Sequence, residues 1–228
     1  MTLVPAALGT ELLDDPAAPP AAVAESLRHI ARSNRWFGGW LALRTGLGWL
    51  LRAAPRRPLT LLDVGAGSGD LAERAAAWGA RRGQPLRPVA LERSPVAARL
   101  AARRGLPAVV ACGGALPVAD RGVDVVIACM VLHHLADESA ARLLRACTAA
   151  ARLGVVVADL RPSALAAVGF RLAGRALGFD AHTIRDGVTS LARGYTRERL
   201  AAITAAAGAD ARLWSRPGAR VVAAWRTA

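Results

Sequence analysis

A chain of 228 residues, 54% of them hydrophobic, is long enough to bury the core of one domain with a modest appendage, which excludes a disordered or fibrous protein. The formal charge of +13 comes from 30 basic residues, all arginine, spread along the chain among acids and apolar residues. That scatter reads as a solvated surface under a compositional bias and argues against a nucleic-acid face. The three cysteines, Cys112, Cys129 and Cys147, are isolated, so neither a disulfide framework nor a metal centre is expected and a reducing cytoplasm is. The N-terminus has no basic segment before an apolar core, as a signal peptide would. The apolar run Trp36 to Leu51 contains Arg44 and falls short of the roughly 20 residues needed to cross a bilayer, so no membrane span is expected.

Met1 to Pro20, rich in Pro and Ala, reads as an irregular arm. Val23, Leu27 and Ile30 recur at helical spacing over Ala21 to Ser33, and Trp40, Leu43, Leu47 and Leu50 do so within Trp36 to Arg52, with a break at Gly38-Gly39. The polar and aromatic run Asn34 to Gly39 has the composition of a lid over a cleft. Residues 1–57 thus form an N-terminal arm and helical cap, and residues 58–228 a second part that begins with a sheet.

The apolar run Leu59 to Val64 carries Asp63 near its end, glycines follow at 65, 67 and 69, and Asp70 opens an Ala-rich helix. Strand, tight loop and helix in that order place a ligand on the loop, where glycine allows positive φ and close approach and a helix start offers free N–H groups. A dinucleotide loop carries a third glycine where this chain has Asp70. An acid at the strand end suits a ligand with positive charge better than a pyrophosphate. Here the chain resembles the class I S-adenosylmethionine-dependent methyltransferases, over roughly Leu59 to the C-terminus.

The next strand, Pro88 to Glu92, ends in an acid able to accept hydrogen bonds from a ribose diol, a role the resemblance also implies. Many relatives carry an Asp for the adenine amino group where this chain has Cys112, so that contact is in doubt. The resemblance implies S-adenosylmethionine as cofactor, held around Asp63, Gly65, Ala66, Gly67, Gly69, Glu92, Arg93, Cys112, Gly113 and Met130. A fourth strand, Gly122 to Cys129, leads to Met130-Val131-Leu132-His133-His134-Leu135, which is similar to the corresponding motif of small-molecule methyltransferases of ubiquinone and menaquinone biosynthesis. The Asn/Asp-Pro-Pro-Tyr and Pro-Cys elements of nucleic-acid base methylation are absent.

Histidine exchanges a proton near neutral pH, and His134, or failing it His133, is expected to serve the reacting centre, with His182 and Asp159 in reserve. Consecutive residues past a strand end are expected to place one imidazole, not both, in the cleft. After a fifth strand ending at Asp159, the long stretch 160–194 holds an apolar helix (Ala164 to Leu177) and the polar run His182 to Ser190, placed to wall a substrate pocket. Trp36, Phe37, Phe170, Phe179 and His182 are expected to enclose the substrate. A last helix follows Thr196, and Ala211 to Ser215 with Arg220 to Trp225 read as a closing hairpin.

The expected fold is α/β: a Rossmann-like, seven-stranded, mostly parallel sheet with an N-terminal helical cap and an insertion after the fifth strand. The expected activity is methyl transfer from S-adenosylmethionine to an oxygen or carbon of a small apolar metabolite, phenolic, quinone-like or polyketide-like. An RNA methyltransferase and a non-catalytic S-adenosylmethionine-binding partner protein are the alternatives, and nothing in the sequence fixes the oligomeric state.

Overall fold

A computed structural model describes residues 11–227; the expected irregular arm lies partly outside them, at residues 1–10. The strands are β1 (Leu59–Val64), β2 (Leu86–Glu92), β3 (Ala108–Val110), β4 (Val123–Cys129), β5 (Ala151–Leu160), β6 (Arg212–Arg216) and β7 (Arg220–Arg226). They form one seven-stranded sheet in the order β3-β2-β1-β4-β5-β7-β6. β1 to β5 pair in parallel, and β7 runs antiparallel to both β5 and β6. The order reverses between β1 and β4, and in an open parallel sheet that switch point is where ligands bind, beyond the strand C-termini.

The helices are α1 (Pro20–Trp36), α2 (Gly39–Leu50), α3 (Asp70–Ala80), α4 (Pro95–Arg103), α5 (Asp137–Ala150), α6 (Ala164–Ala176), α7 (Ala181–Arg193) and α8 (Arg197–Ala206). The central strands are apolar on both sides because both sides are covered. Val125, Ile127 and Val156 face Leu43, Leu47 and Leu50 of α2, whereas Val126, Ala128 and Val157 face Leu144 and Cys147 of α5 and Leu200 of α8. Gly46 lets α2 lie close on the sheet, since a Cβ there would collide with Val156. The helix thus belongs to the layer that buries the sheet.

Two stretches singled out in the sequence take definite form. The polar run His182 to Ser190 is α7, whose buried face is Thr183, Ser190 and Leu191; its N-cap Asp180 accepts from the Thr183 N–H at 2.7 Å, so local capping overrides the polar composition. The Gly38-Gly39 break is a packed corner. Gly38, at φ +84°, sits against the Pro217 carbonyl, and the buried Arg220 donates to the Phe37 carbonyl at 3.1 Å. Among the described residues no helix is long and apolar enough to cross a membrane.

Candidate active site

A single cavity of about 810 Å³ runs from the glycine loop after β1 to the histidines after β4. At its first end Gly65 and Gly67 hold φ of +71° and +56°, a region that disfavours side chains, and both line the cavity with Ala66. Gly69 also has positive φ, but it lies outside the cavity, where a Cβ would strike Leu106. Its role is to let loop and α4 pack, which corrects its placement in the cofactor site.

Asp63 is buried at 2% exposure, and its Oδ1 finds no hydrogen-bond partner. Burial, with Asp70 and Glu92 nearby, pushes its carboxyl up to about 8. A buried carboxyl with an unpartnered oxygen lining a cavity is free to meet a ligand, and a cationic ligand would offset the cost of ionising it there. The buried Ser68 hydroxyl of the same wall is equally unsatisfied. Asp70 is anchored by the Asn34 amide at 3.2 Å. Glu92 is held in place by the Gly67 N–H at 2.9 Å and the Ser94 N–H at 3.0 Å. Cys112 and Gly113 line the wall beyond β3, and Arg93 reaches the Leu13 carbonyl at 2.7 Å.

At the other end Met130, at φ +56°, turns the chain after β4, and its sulfur meets Nη1 of Arg220 at 2.9 Å. His133 and His134 follow, and both face the cavity with their rings 4.2 Å apart. The expectation that one alone could do so fails because residues 132–134 form a 3₁₀ turn that brings the imidazoles side by side.

His133 is 2% exposed and its Nδ1 lies 2.6 Å from Asp159 Oδ1. A carboxylate only accepts, so Nδ1 carries the proton and Nε2 is left as an acceptor. Asp159 is absent from the cavity wall, so it reaches the reacting end only through His133 and not, as the reserve expectation had it, directly. Burial works to raise it, but the His133 ring and the Leu160 N–H at 2.7 Å hold it below the usual carboxylate range, and the Leu132 N–H also donates to it at 2.9 Å. His182 points away on the exposed flank of α7, bonded to Arg185 at 2.7 Å, so it is not brought to the site. Trp36 is 64% exposed, and Phe179 stacks on His29 outside the cavity; of the aromatics expected there, Phe37 and Phe170 line it, edge to face at 5.6 Å.

Sequence reasoning missed Glu11 and Asp14. The segment 11–15 lines the cavity through Glu11, Leu13, Asp14 and Asp15 and is pinned to α7: Ser190 Oγ donates to Glu11 at 2.8 Å, Arg193 to Glu11 at 3.2 Å and to Asp14 at 2.9 Å, and the Leu12 N–H to Asp186 at 2.9 Å. His134 Nδ1 lies 2.8 Å from Asp14 Oδ1. Burial pushes Glu11 up to about 7 despite His134, Ser190 and Arg193. Asp14 stays well below the usual carboxylate range: burial opposes this, but His134 and Arg193 outweigh it. Locally these two acids only cap the 3₁₀ turn between them, and the partners that bring them to the cavity, His134 and Arg193, lie more than a hundred residues away.

Residues 61–154 match a family model described as a methyltransferase domain. No curated protein sequence matches the chain. Among solved structures, a SAM-dependent methyltransferase from Aquifex aeolicus superposes with a TM-score of 0.61 at 14% identity, over 92% of this chain and 99% of that one. Human N-acetylserotonin methyltransferase in complex with SAM gives 0.66 at 14% identity, over 98% of this chain and 60% of that one. An O-methyltransferase from neocarzinostatin biosynthesis, in complex with S-adenosyl-L-homocysteine and 1,4-dihydroxy-2-naphthoic acid, gives 0.66 at 21% identity, over 95% and 62%. The chain thus spans about three fifths of the length of the last two. The chain shares its fold with these methyltransferase structures.

Proposed function

We propose that the chain transfers the methyl group of S-adenosylmethionine to a hydroxyl oxygen of a small aromatic metabolite. The observation that carries this reading is the cavity itself, which has an unsatisfied Asp63 at its glycine-loop end and an imidazole backed by Asp159 at the other. The residues of the first end fit the cofactor: Asp63 suits its ammonium, bare glycine backbone admits it closely, and Glu92 has lone pairs to spare for a ribose diol. When bound, S-adenosylmethionine supplies an electrophilic methyl group on a sulfonium. Arg93, Cys112, Gly113 and Met130 complete the wall around it.

The acceptor's place is the histidine end, between the apolar Phe37, Phe170 and Leu13, with its hydroxyl towards His133. His133 Nε2 takes the hydroxyl proton while Asp159 keeps the tautomer and aim of the ring, and the wall of residues 11–15 excludes water. The resemblance to the naphthoic-acid-bound neighbour supports an aromatic acceptor, and a small-molecule site fits a cytoplasmic biosynthetic enzyme with free Cys129 and Cys147. We assign residues 1–57 to an N-terminal arm and helical cap, residues 58–228 to the S-adenosylmethionine-binding methyltransferase domain, and 160–194 within it to a lid insertion. Turnover of a hydroxylated naphthoic acid by the parent and by His133→Ala, His134→Ala and Asp159→Asn tests the reading. A general base costs about 10²–10⁴-fold in rate with cofactor affinity intact; parental rates in all three variants would leave catalysis to alignment alone.

A further inference from the structure

We propose that the histidine end of this cavity is a binding site for one divalent cation of the zinc class, ligated by Nε2 of His133, Nε2 of His134 and a carboxylate oxygen of Glu11. The site itself is a matter of geometry, and only its role in the reaction rests on the reading of this end as the acceptor's place. One ligand atom from each of the three residues lies within 4.8 Å of the others. His133 Nε2 is 4.0 Å and His134 Nε2 3.9 Å from the two Glu11 oxygens. Those separations are too long for hydrogen bonds, and among the described residues neither Nε2 has another polar partner. Tetrahedral zinc, with bonds of about 2.0–2.2 Å, sets its ligand atoms about 3.3–3.6 Å apart, and the two separations from Glu11 exceed that by about half an ångström, a distance that side-chain rotation covers.

The supporting groups are those a metal site needs. A ligating histidine gives its other ring N–H to a carboxylate, which fixes the tautomer and leaves a lone pair for the ion. Here both do so, His133 to Asp159 at 2.6 Å and His134 to Asp14 at 2.8 Å. Glu11 is in turn oriented by Ser190 at 2.8 Å and by Arg193 at 3.2 Å. Three protein ligands beside an open cavity leave a fourth position for an oxygen of the acceptor, the arrangement of a catalytic rather than a structural zinc. With the ion bound, Nε2 of His133 is a ligand and not the base, so an acceptor hydroxyl at the fourth position would break its O–H bond with the electron pair kept on oxygen and give its proton to the solvent from which it enters, a route that replaces the imidazole base of the cation-free protein. A second grouping, Glu25, His29 and Asp180, is less suited, because His29 Nδ1 is already engaged by Thr183 and Asp180 at 3.2 Å each and Glu25 is exposed.

The test is calorimetric titration of chelator-treated full-length protein with zinc chloride, with cobalt(II) absorption reporting the coordination geometry. One cation should bind per chain, and cobalt should show a four-coordinate spectrum containing nitrogen ligands. Affinity should be lost in His134→Ala and in Glu11→Gln, fall by about 10–100-fold in Asp14→Asn, and be unchanged in His29→Ala, with circular dichroism establishing that each variant is folded. Absence of binding, binding that persists in His134→Ala and Glu11→Gln, or loss in His29→Ala instead would overturn the proposal. Methyl transfer without cation binding would remove the cation and leave the methyltransferase reading. Binding without methyl transfer would leave the site and remove its role in the reaction.

Discussion

Asp63 holds a buried carboxyl whose proton is retained to about 8, well above its unfolded value of about 3.9. The folded state therefore binds that proton more tightly than the unfolded chain, and the contribution of this group to stability is full below about pH 4 and lost as pH rises through about 8. Asp63→Asn keeps the shape without the ionisation, so its melting temperature should gain on the parent from pH 5 to pH 8, as read by scanning calorimetry. The same variant should bind S-adenosylmethionine more weakly by about 1.5–3 kcal/mol, the worth of a charged hydrogen-bond acceptor. Equal affinity would show that the ammonium does not rest there. Around it, Gly67→Val puts a branched side chain at φ +56° and pushes towards Leu27, and Glu92→Ala frees the Gly67 and Ser94 N–H groups. Both should lose cofactor affinity in titration calorimetry while remaining folded.

At the scale of elements, Asp124 at the start of β4 ties the sheet to the preceding chain. It accepts from the Thr60 N–H at 2.8 Å and from Arg57 at 2.7 and 3.0 Å, and the Arg57 hydrogen bonds keep it well below the usual carboxylate range. Its stabilisation is present above the unfolded value of about 3.9 and lost as pH falls through and below it. Arg57 is half-exposed, so most of the worth is the Thr60 bond, and Asp124→Ala should cost about 1–3 kcal/mol at neutral pH. In urea titrations the gap from the parent should narrow at pH 3.

The glycine loop, the acids of β1 and β2 and the histidine pair are legible in sequence because each sits at a strand end whose apolar run announces it. The contacts of residues 11–14 with α7 join side chains about 180 residues apart, and no local period encodes them. His182 misleads for a related reason. Polar composition suggests a pocket, but the helical period turns that ring outward and brings Thr183, Asp186 and Ser190 in.

For the whole molecule, the charge of +13 is the feature that most favours a nucleic-acid acceptor. Arg44, Arg52, Arg82, Arg212 and Arg216 surround a shallow groove with Trp49, Trp78 and Trp214 over α2, lined separately from the cavity between the glycine loop and the histidines. Basic binding of that kind is salt-dependent, so retention of RNA in an electrophoretic assay should vanish at physiological ionic strength; retention that persists would favour the RNA reading. The most direct measurement incubates the protein with methyl-labelled S-adenosylmethionine and a hydroxylated naphthoic acid, with mass detection of the products. The account predicts a product heavier by one methyl on oxygen, formed in step with S-adenosylhomocysteine and abolished in Gly67→Val. Tight binding of S-adenosylmethionine with no S-adenosylhomocysteine formed across a panel of small hydroxylated aromatics would contradict it.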